Sequence, residues 1–175
     1  ELLAIDAEGN LPEGGWEQLA AADAIIFGTP TYMGGPSWQF KKFADASSKA
    51  WFVRAWQDKV FGGFTNSASP VGDKGAPMIQ LQTLASQHGG IWVSLGVLPA
   101  NTKAATHADA NHLGGSVGLL VRSPADASVE EVPQGDLRSR GEAQVEILQL
   151  GNVVFVETTL KHLVQMGVLE VKFAS

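Results

Sequence analysis

Three short apolar runs, each closed by turn-forming residues, organise the first hundred positions of the chain. Ala24 to Phe27 stops at Gly28-Thr29-Pro30, Val60 to Phe64 stops at Thr65-Asn66-Ser67, and Ile91 to Leu95 stops at Gly96 and Pro99. Apolar runs of this length without polar alternation, halted by Gly, Pro or small polar residues, read as strands buried on both faces. Helical segments are expected between them at Trp16 to Ala22, Pro36 to Ala50 and Ala76 to His88, the last ended by Gly89-Gly90 as a left-handed stop. Strands alternating with helices of this length imply right-handed crossovers and a parallel sheet.

Leu2 to Ile5 reads as an edge strand before the first helix. Ala100 to Asp136 shows little periodicity beyond Gly118 to Val121, the mark of a functional loop or insertion in a compact domain. Leu137 to Leu150 is expected to be a helix. A second apolar run, Asn152 to Val156, reads as another buried strand, followed by a short helix over Leu160 to Met166 and a strand over Val168 to Phe173. With no repeat, linker or low-complexity tract, residues 1–175 are expected to form a single domain.

Composition narrows the functional classes. There is no Cys, which removes disulfides, Cys-type zinc sites and thiol chemistry and fits a reducing cytoplasm. Net charge is -6 with Lys and Arg scattered, so no nucleic-acid footprint is present. No run reaches the roughly 18 apolar residues of a membrane span, and His107, Asp109 and His112 do not have the spacing of a metal frame. No metal site is expected. Trp16, Trp38 and Trp92 are expected in the core, with Trp51 and Trp56 partly buried beside a loop.

In open parallel α/β sheets ligands bind beyond the carboxyl ends of the strands. Two loops there carry suggestive chemistry. Pro30, Thr31, Tyr32, Met33, Gly34 and Gly35 combine a stiff Pro, an aromatic ring, a thioether and two glycines that let backbone approach a planar ligand. Thr65, Asn66, Ser67, Ala68 and Ser69 offer hydroxyls, an amide and backbone N–H groups for the polar edge of a heteroaromatic ring. Each has a plainer reading: Pro30 and the glycines as a strand end, Tyr32 and Met33 as packing, and His88 as a cation at a helix C-terminus.

Gly-Thr-Pro-Thr-Tyr-Met-Gly-Gly at 28–35, the loop at 65–69 and Leu-Ala-Ser-Gln-His-Gly-Gly at 84–90, in that order, resemble the tryptophan-repressor-binding-protein (WrbA-type) family of flavodoxin-like NAD(P)H:quinone oxidoreductases. Asn111 to Ser116, on to Asp136-Leu137, extends the likeness over roughly residues 1–140. The resemblance implies a three-layer α/β/α sandwich with FMN as cofactor, NAD(P)H as co-substrate and a quinone as acceptor. It implies also a flavin bound by the two loops with His88 near it, and a homo-oligomer, dimer or tetramer. No acid–base residue is assigned, because the flavin carries the chemistry. A flavodoxin-type electron carrier is the alternative, as is a rearranged or truncated scaffold with weak flavin binding.

The family's first strand and its Ser-x-Thr-Gly-x-Thr phosphate loop have no counterpart in the sequence. In the strand order 2-1-3-4-5 that strand is central, and an empty slot would leave buried backbone groups unpaired at about 1–3 kcal/mol each. Asn152 to Val156 is therefore expected to fill it, next to Ala24 to Phe27, through a circular permutation or other rearrangement. Thr158 and Thr159 are the nearest replacement for a phosphate cap.

Overall fold

The computed structural model describes residues 2–128, residue 131 and the backbone of a strand at 153–157. Its elements run β1 (Leu2–Ala4), α1 (Gly15–Ala21), β2 (Ala24–Tyr32), β3 (Gly35–Pro36), α2 (Trp38–Ala46), α3 (Ser48–Phe52), β4 (Val60–Ser67), α4 (Gly75–Gln87), β5 (Ile91–Trp92), β6 (Leu119–Arg122) and β7 (Val153–Glu157). The sheet is ordered β1-β7-β2-β4-β5, with β6 also on β4 and β3 paired to β2. β4 is parallel to β2, β5 and β6, the arrangement expected of an α/β crossover fold. The expected segments at 137–150, 158–166 and 168–173 lie outside the described residues.

β7 sits inside the sheet between β1 and β2, where the unpaired slot was expected. Its direction differs: it is antiparallel to both neighbours, Leu2 facing Phe155 and Ile26 facing Phe155 from the other side. A circular permutation of an all-parallel sheet preserves strand direction, so the reversed strand corrects that reading and leaves another rearrangement or a truncated chain with an unrelated tail. Backbone pairing is satisfied either way, because both ladder types use every N–H and C=O of a central strand.

Residues alternate across β2 and β4. Ile25, Phe27 and Phe61 join Leu19 of α1, Phe40 and Phe43 of α2 and Leu81 of α4 in the main core, so the described helices cover one face. Ile26 and Phe64 turn to the other face, against Leu95, Leu119 and Val121. Gly28 makes this possible: a Cβ there would stand 2.1 Å from the Phe64 ring.

Several expected boundaries move. β2 does not stop at Phe27 but continues through Pro30 to Tyr32 and turns back as a hairpin, with Met33 (φ 44°) and Gly34 (φ 79°) as its two-residue turn. The expected helix 36–50 is two helices meeting at Ser47, whose hydroxyl donates to the Ala44 carbonyl at 2.7 Å. β5 and β6 lie one after the other along the same edge of β4, so residues 93–118 are an excursion from that edge. Asn111, buried with φ 53°, holds this excursion by donating to the carbonyls of Val97 and Gly115.

Two Trp expectations are corrected. Trp38 is 61 % exposed, because Phe40 and Phe43 occupy the inner face of α2 and a residue two positions before Phe40 points away. Trp56 is fully buried, stacked with Trp16 and Phe43 and lying 4.2 Å from the His88 ring. Trp16 stacks on Phe43, and Trp92 is half-buried with its Nε1 donating to the Val117 carbonyl at 2.7 Å. His88 is buried too, its Nε2 2.9 Å from Ser47 Oγ. The single Ser47 proton already goes to Ala44, so His88 Nε2 is the donor. His88 Nδ1 is then a buried lone pair without a partner among the described residues.

Two outcomes follow from this packing. Gly28→Ala should destabilise the protein by about 1–3 kcal/mol through overpacking, and Phe64→Leu in the same chain should recover part of the loss; additive losses in thermal melts would disprove the contact. Burial pushes His88 down from 6.5 to about 4. Between those values the unfolded chain takes up a proton that the folded chain refuses, so His88 costs no stability above pH 6.5 and costs up to about 3 kcal/mol as pH falls to 4. Chemical denaturation at pH 7.5 and pH 5 should show that fall, and His88→Gln should flatten it.

Candidate functional site

Parallel pairing puts the two candidate loops side by side. Ala24 to Pro30 run in register with Val60 to Asn66, so both strands emerge at the same edge of the sheet. There Thr31 Oγ1 and Thr65 Oγ1 lie 2.9 Å apart and join the loops at their base, Thr65 being fully buried. Thr29, also buried, accepts from the Ser37 N–H with its Oγ1 and so fixes the return of the hairpin into α2. Ser37 in turn caps α2 by accepting from the Phe40 N–H.

The first loop is a hairpin tip. Tyr32 is 68 % exposed and Met33 fully so, and neither is packing. An open groove of about 770 Å³ runs from Pro30 and Tyr32 past Trp38 to Lys41 and Lys42. None of Thr65 to Ser69 lines it, so it is the outer flank of the hairpin and not a slot between the loops.

The second loop begins later than the sequence indicates, since β4 continues to Ser67. Asn66 Nδ2 donates to Ser123 Oγ at 3.1 Å, and the Ser123 N–H donates to the Ser67 carbonyl. Beyond Ser67 the loop turns its carbonyls inward. Arg122 Nε donates to Ala68 O, Lys74 Nζ donates to Ser69 O at 2.5 Å and Pro70 O at 3.2 Å, and Ser67 Oγ reaches Ser69 O and Gly72 O. The Lys74 N–H takes Val71 O. Ser69, Val71 and Gly72, by contrast, use no backbone N–H in a bond to another described residue. Ser69 and Val71 lie on the surface and Gly72 is half-buried. The carbonyls of residues 68–72 are thus taken up by donors of the protein, while these three N–H groups have no partner among the described residues, a set of donors suited to the acceptor edge of a ligand.

His88 is the exception among the candidates. α4 leaves this edge at Gly75 and runs back beneath the sheet, so within one chain His88 arrives at the opposite end, beside Asp58 and Gly89, against Trp56. The two loops share an edge as expected; His88 does not join them. Its near-neutral packing role also corrects the helix-end cation reading, since burial keeps the ring uncharged at neutral pH.

Lys74, Arg122 and Ser123 were not singled out from sequence. A signal existed for the last two: Gly118 to Val121 followed by Arg122-Ser123-Pro124 repeats the pattern of an apolar run closed by turn residues. For Lys74 the only hint was a charged residue directly before the helix that follows the second loop.

Comparison with known proteins places this geometry in context. Residues 15–105 match the family described as NADPH-dependent FMN reductase. The chain is 64% identical over 138 residues to "Flavodoxin FldP" of Pseudomonas aeruginosa (strain UCBPP-PA14), covering 79% of this chain and 75% of that one. It is 35% identical over 89 residues to an "NAD(P)H dehydrogenase (quinone)" of Geobacter sulfurreducens, covering 51% of this chain and only 44% of that protein's length. Among solved structures, the flavodoxin, WrbA-like protein from Agrobacterium tumefaciens is 52% identical with a TM-score of 0.59, over 84% of this chain and 79% of that one. The chain belongs to the NADPH-dependent FMN reductase family, with a flavodoxin-like fold.

Proposed function

We propose that the chain is an FMN-dependent oxidoreductase that takes electrons from NAD(P)H and delivers them to a quinone. The observation that carries this reading is the donor surface at the end of β4, set against the hairpin after β2 at one edge of the sheet. When bound, FMN supplies the chemistry, accepting a hydride and releasing two electrons to an acceptor on the same face.

The chain's own residues hold and orient the ring. Backbone N–H groups at Ser69, Val71 and Gly72 would bond its acceptor-rich edge, and the hairpin Thr31 to Gly35 would flank it. Exposed Tyr32 and Met33 offer an aromatic and a soft, polarisable surface to a flat ligand. The donor set thus fits the ring. A cytoplasmic site of action and a homo-oligomer that completes the site belong to the same reading.

A second reading, an electron carrier that exchanges electrons only with protein partners, is favoured by the name of the 64% identical relative, a flavodoxin. The two separate in one assay. With added FMN, an oxidoreductase oxidises NAD(P)H at the expense of benzoquinone, with turnover expected at about 1 s⁻¹ or faster. A carrier does so only when a separate reductase is supplied, and that result would overturn the first reading.

A further inference from the structure

A buried lysine lies directly behind the second loop. Lys74 is 1 % exposed, and its Nζ is held against the carbonyl oxygens of Ser69 and Pro70. The loop is folded tightly around this point: Gly72 has φ 50°, and a Cβ on it would lie 1.9 Å from Ser67 Oγ. Asp73 is also left-handed, at φ 54°, so two successive residues reverse the chain to bring Lys74 beneath the loop. A buried cation needs carbonyls or counter-charges around it, and the carbonyls of Ser69 and Pro70 are part of that surrounding.

We propose that Lys74 is the positioning residue of the flavin site: it draws the loop carbonyls inward so that the loop's N–H groups face the ligand, and its charge favours the reduced ring. The inference rests on the flavin reading above and adds a residue and two separable effects to it. The first is geometric. With Pro70 O held by Lys74 Nζ, the Val71 N–H of the same trans peptide points the opposite way, and with Ala68 O held by Arg122 the Ser69 N–H does likewise; Ser69 O, whose peptide nitrogen is that of Pro70, anchors the turn to Nζ without presenting a donor. The second is electrostatic. A flavin ring gains negative charge on reduction, and a fixed cation behind a layer of aligned peptide dipoles stabilises that state more than the oxidised one. Arg122 at Ala68 O acts in the same sense from the side of β6.

The test uses the full chain and riboflavin, a probe that carries the ring without the phosphate. Riboflavin affinity and the midpoint potential of the bound ring are measured for the unaltered protein and for Lys74→Met, Lys74→Gln and Lys74→Arg. Lys74→Met should weaken oxidised riboflavin about ten-fold and reduced riboflavin about a hundred-fold. The further ten-fold corresponds to a potential more negative by about 30 mV for a two-electron couple. Lys74→Gln keeps a donor for the loop carbonyls without the charge, so it should keep most of the affinity and show the same change in potential. Lys74→Arg should restore the potential.

If Lys74→Met does not fold, Lys74→Gln and Lys74→Arg carry the comparison, since a merely structural lysine would not separate them by potential. Unchanged potential in Lys74→Gln, with riboflavin still bound, overturns the proposal and leaves the flavin reading standing. Failure of the unaltered protein to bind riboflavin at all overturns both.

Discussion

The parallel ladder between β2 and β4 is the constraint on which the rest depends. Seven consecutive residue pairs, from Ala24 with Val60 to Pro30 with Asn66, commit both strands to point the same way and to end at the same edge. Side chains on each strand must then serve two faces in turn, which is why Phe27 and Phe61 enter the core beneath the helices while Phe64 enters the opposite cluster. Glycine at position 28 admits Phe64 on one face, and glycine at 63 admits Leu81 and Trp92 on the other. A slip of one residue would exchange these assignments and expose the aromatic core, so the glycines and phenylalanines together fix the register. The adjacency of the two candidate loops is a by-product of that register and needs no interaction of its own beyond the Thr31–Thr65 contact.

Two lysines perform a similar task at opposite ends of the same sheet. At the start of β4, Lys59 Nζ donates to the carbonyls of Ala20 and Ala22, where α1 ends and the chain turns into β2; desolvation there holds its ammonium below the usual lysine range. This is ordinary helix C-terminal chemistry, a cation on carbonyls that the helix leaves unpaired. At the far end of β4, Lys74 does to a loop what Lys59 does to a helix. Taking up carbonyls at a helix end quiets them; taking up the Pro70 carbonyl in a loop leaves the Val71 N–H of the same peptide to find something else.

Much of the fold was legible because it follows from runs of apolar residues and the punctuation after them. Ala24 to Phe27 and Val60 to Phe64 are strands, Ile91 to Leu95 is one only over Ile91–Trp92, Leu119–Arg122 is a strand where a loop was expected, and the apolar run beginning at Asn152 occupies the interior slot. What could not be read is where direction and distance decide the outcome. The apolar pattern of a buried strand is the same for either direction, so the antiparallel setting of β7 left no trace in the residues. Pro30 reads as a stop, yet the strand passes through it: it still pairs with Asn66 of β4 but lies beyond Gly28, the last β2 residue paired with β7, so its missing N–H breaks no ladder bond on that side. Trp56 reads as a loop residue since nothing local shows that residues 53–58 fold back under Phe43 and Phe61. Within the candidate site the small and polar residues at 28–35 and 65–69 were visible as a group, but Lys74 was not, because a single lysine before a helix is ordinary on any surface and its burial is a property of the folded loop alone.

The placement of β7 has a consequence for how the molecule is made. β1 and β2 emerge from the ribosome early, and the strand that pairs with both follows on the order of a hundred residues later. At typical elongation rates that interval is roughly ten seconds. Throughout it, the inner edge of β2 is a long apolar strand with its hydrogen-bonding groups open, the kind of edge that recruits other chains. Closing the sheet then requires a contact of high sequence separation, which slows folding. The half-made protein is accordingly the stage most exposed to aggregation and to holding by chaperones.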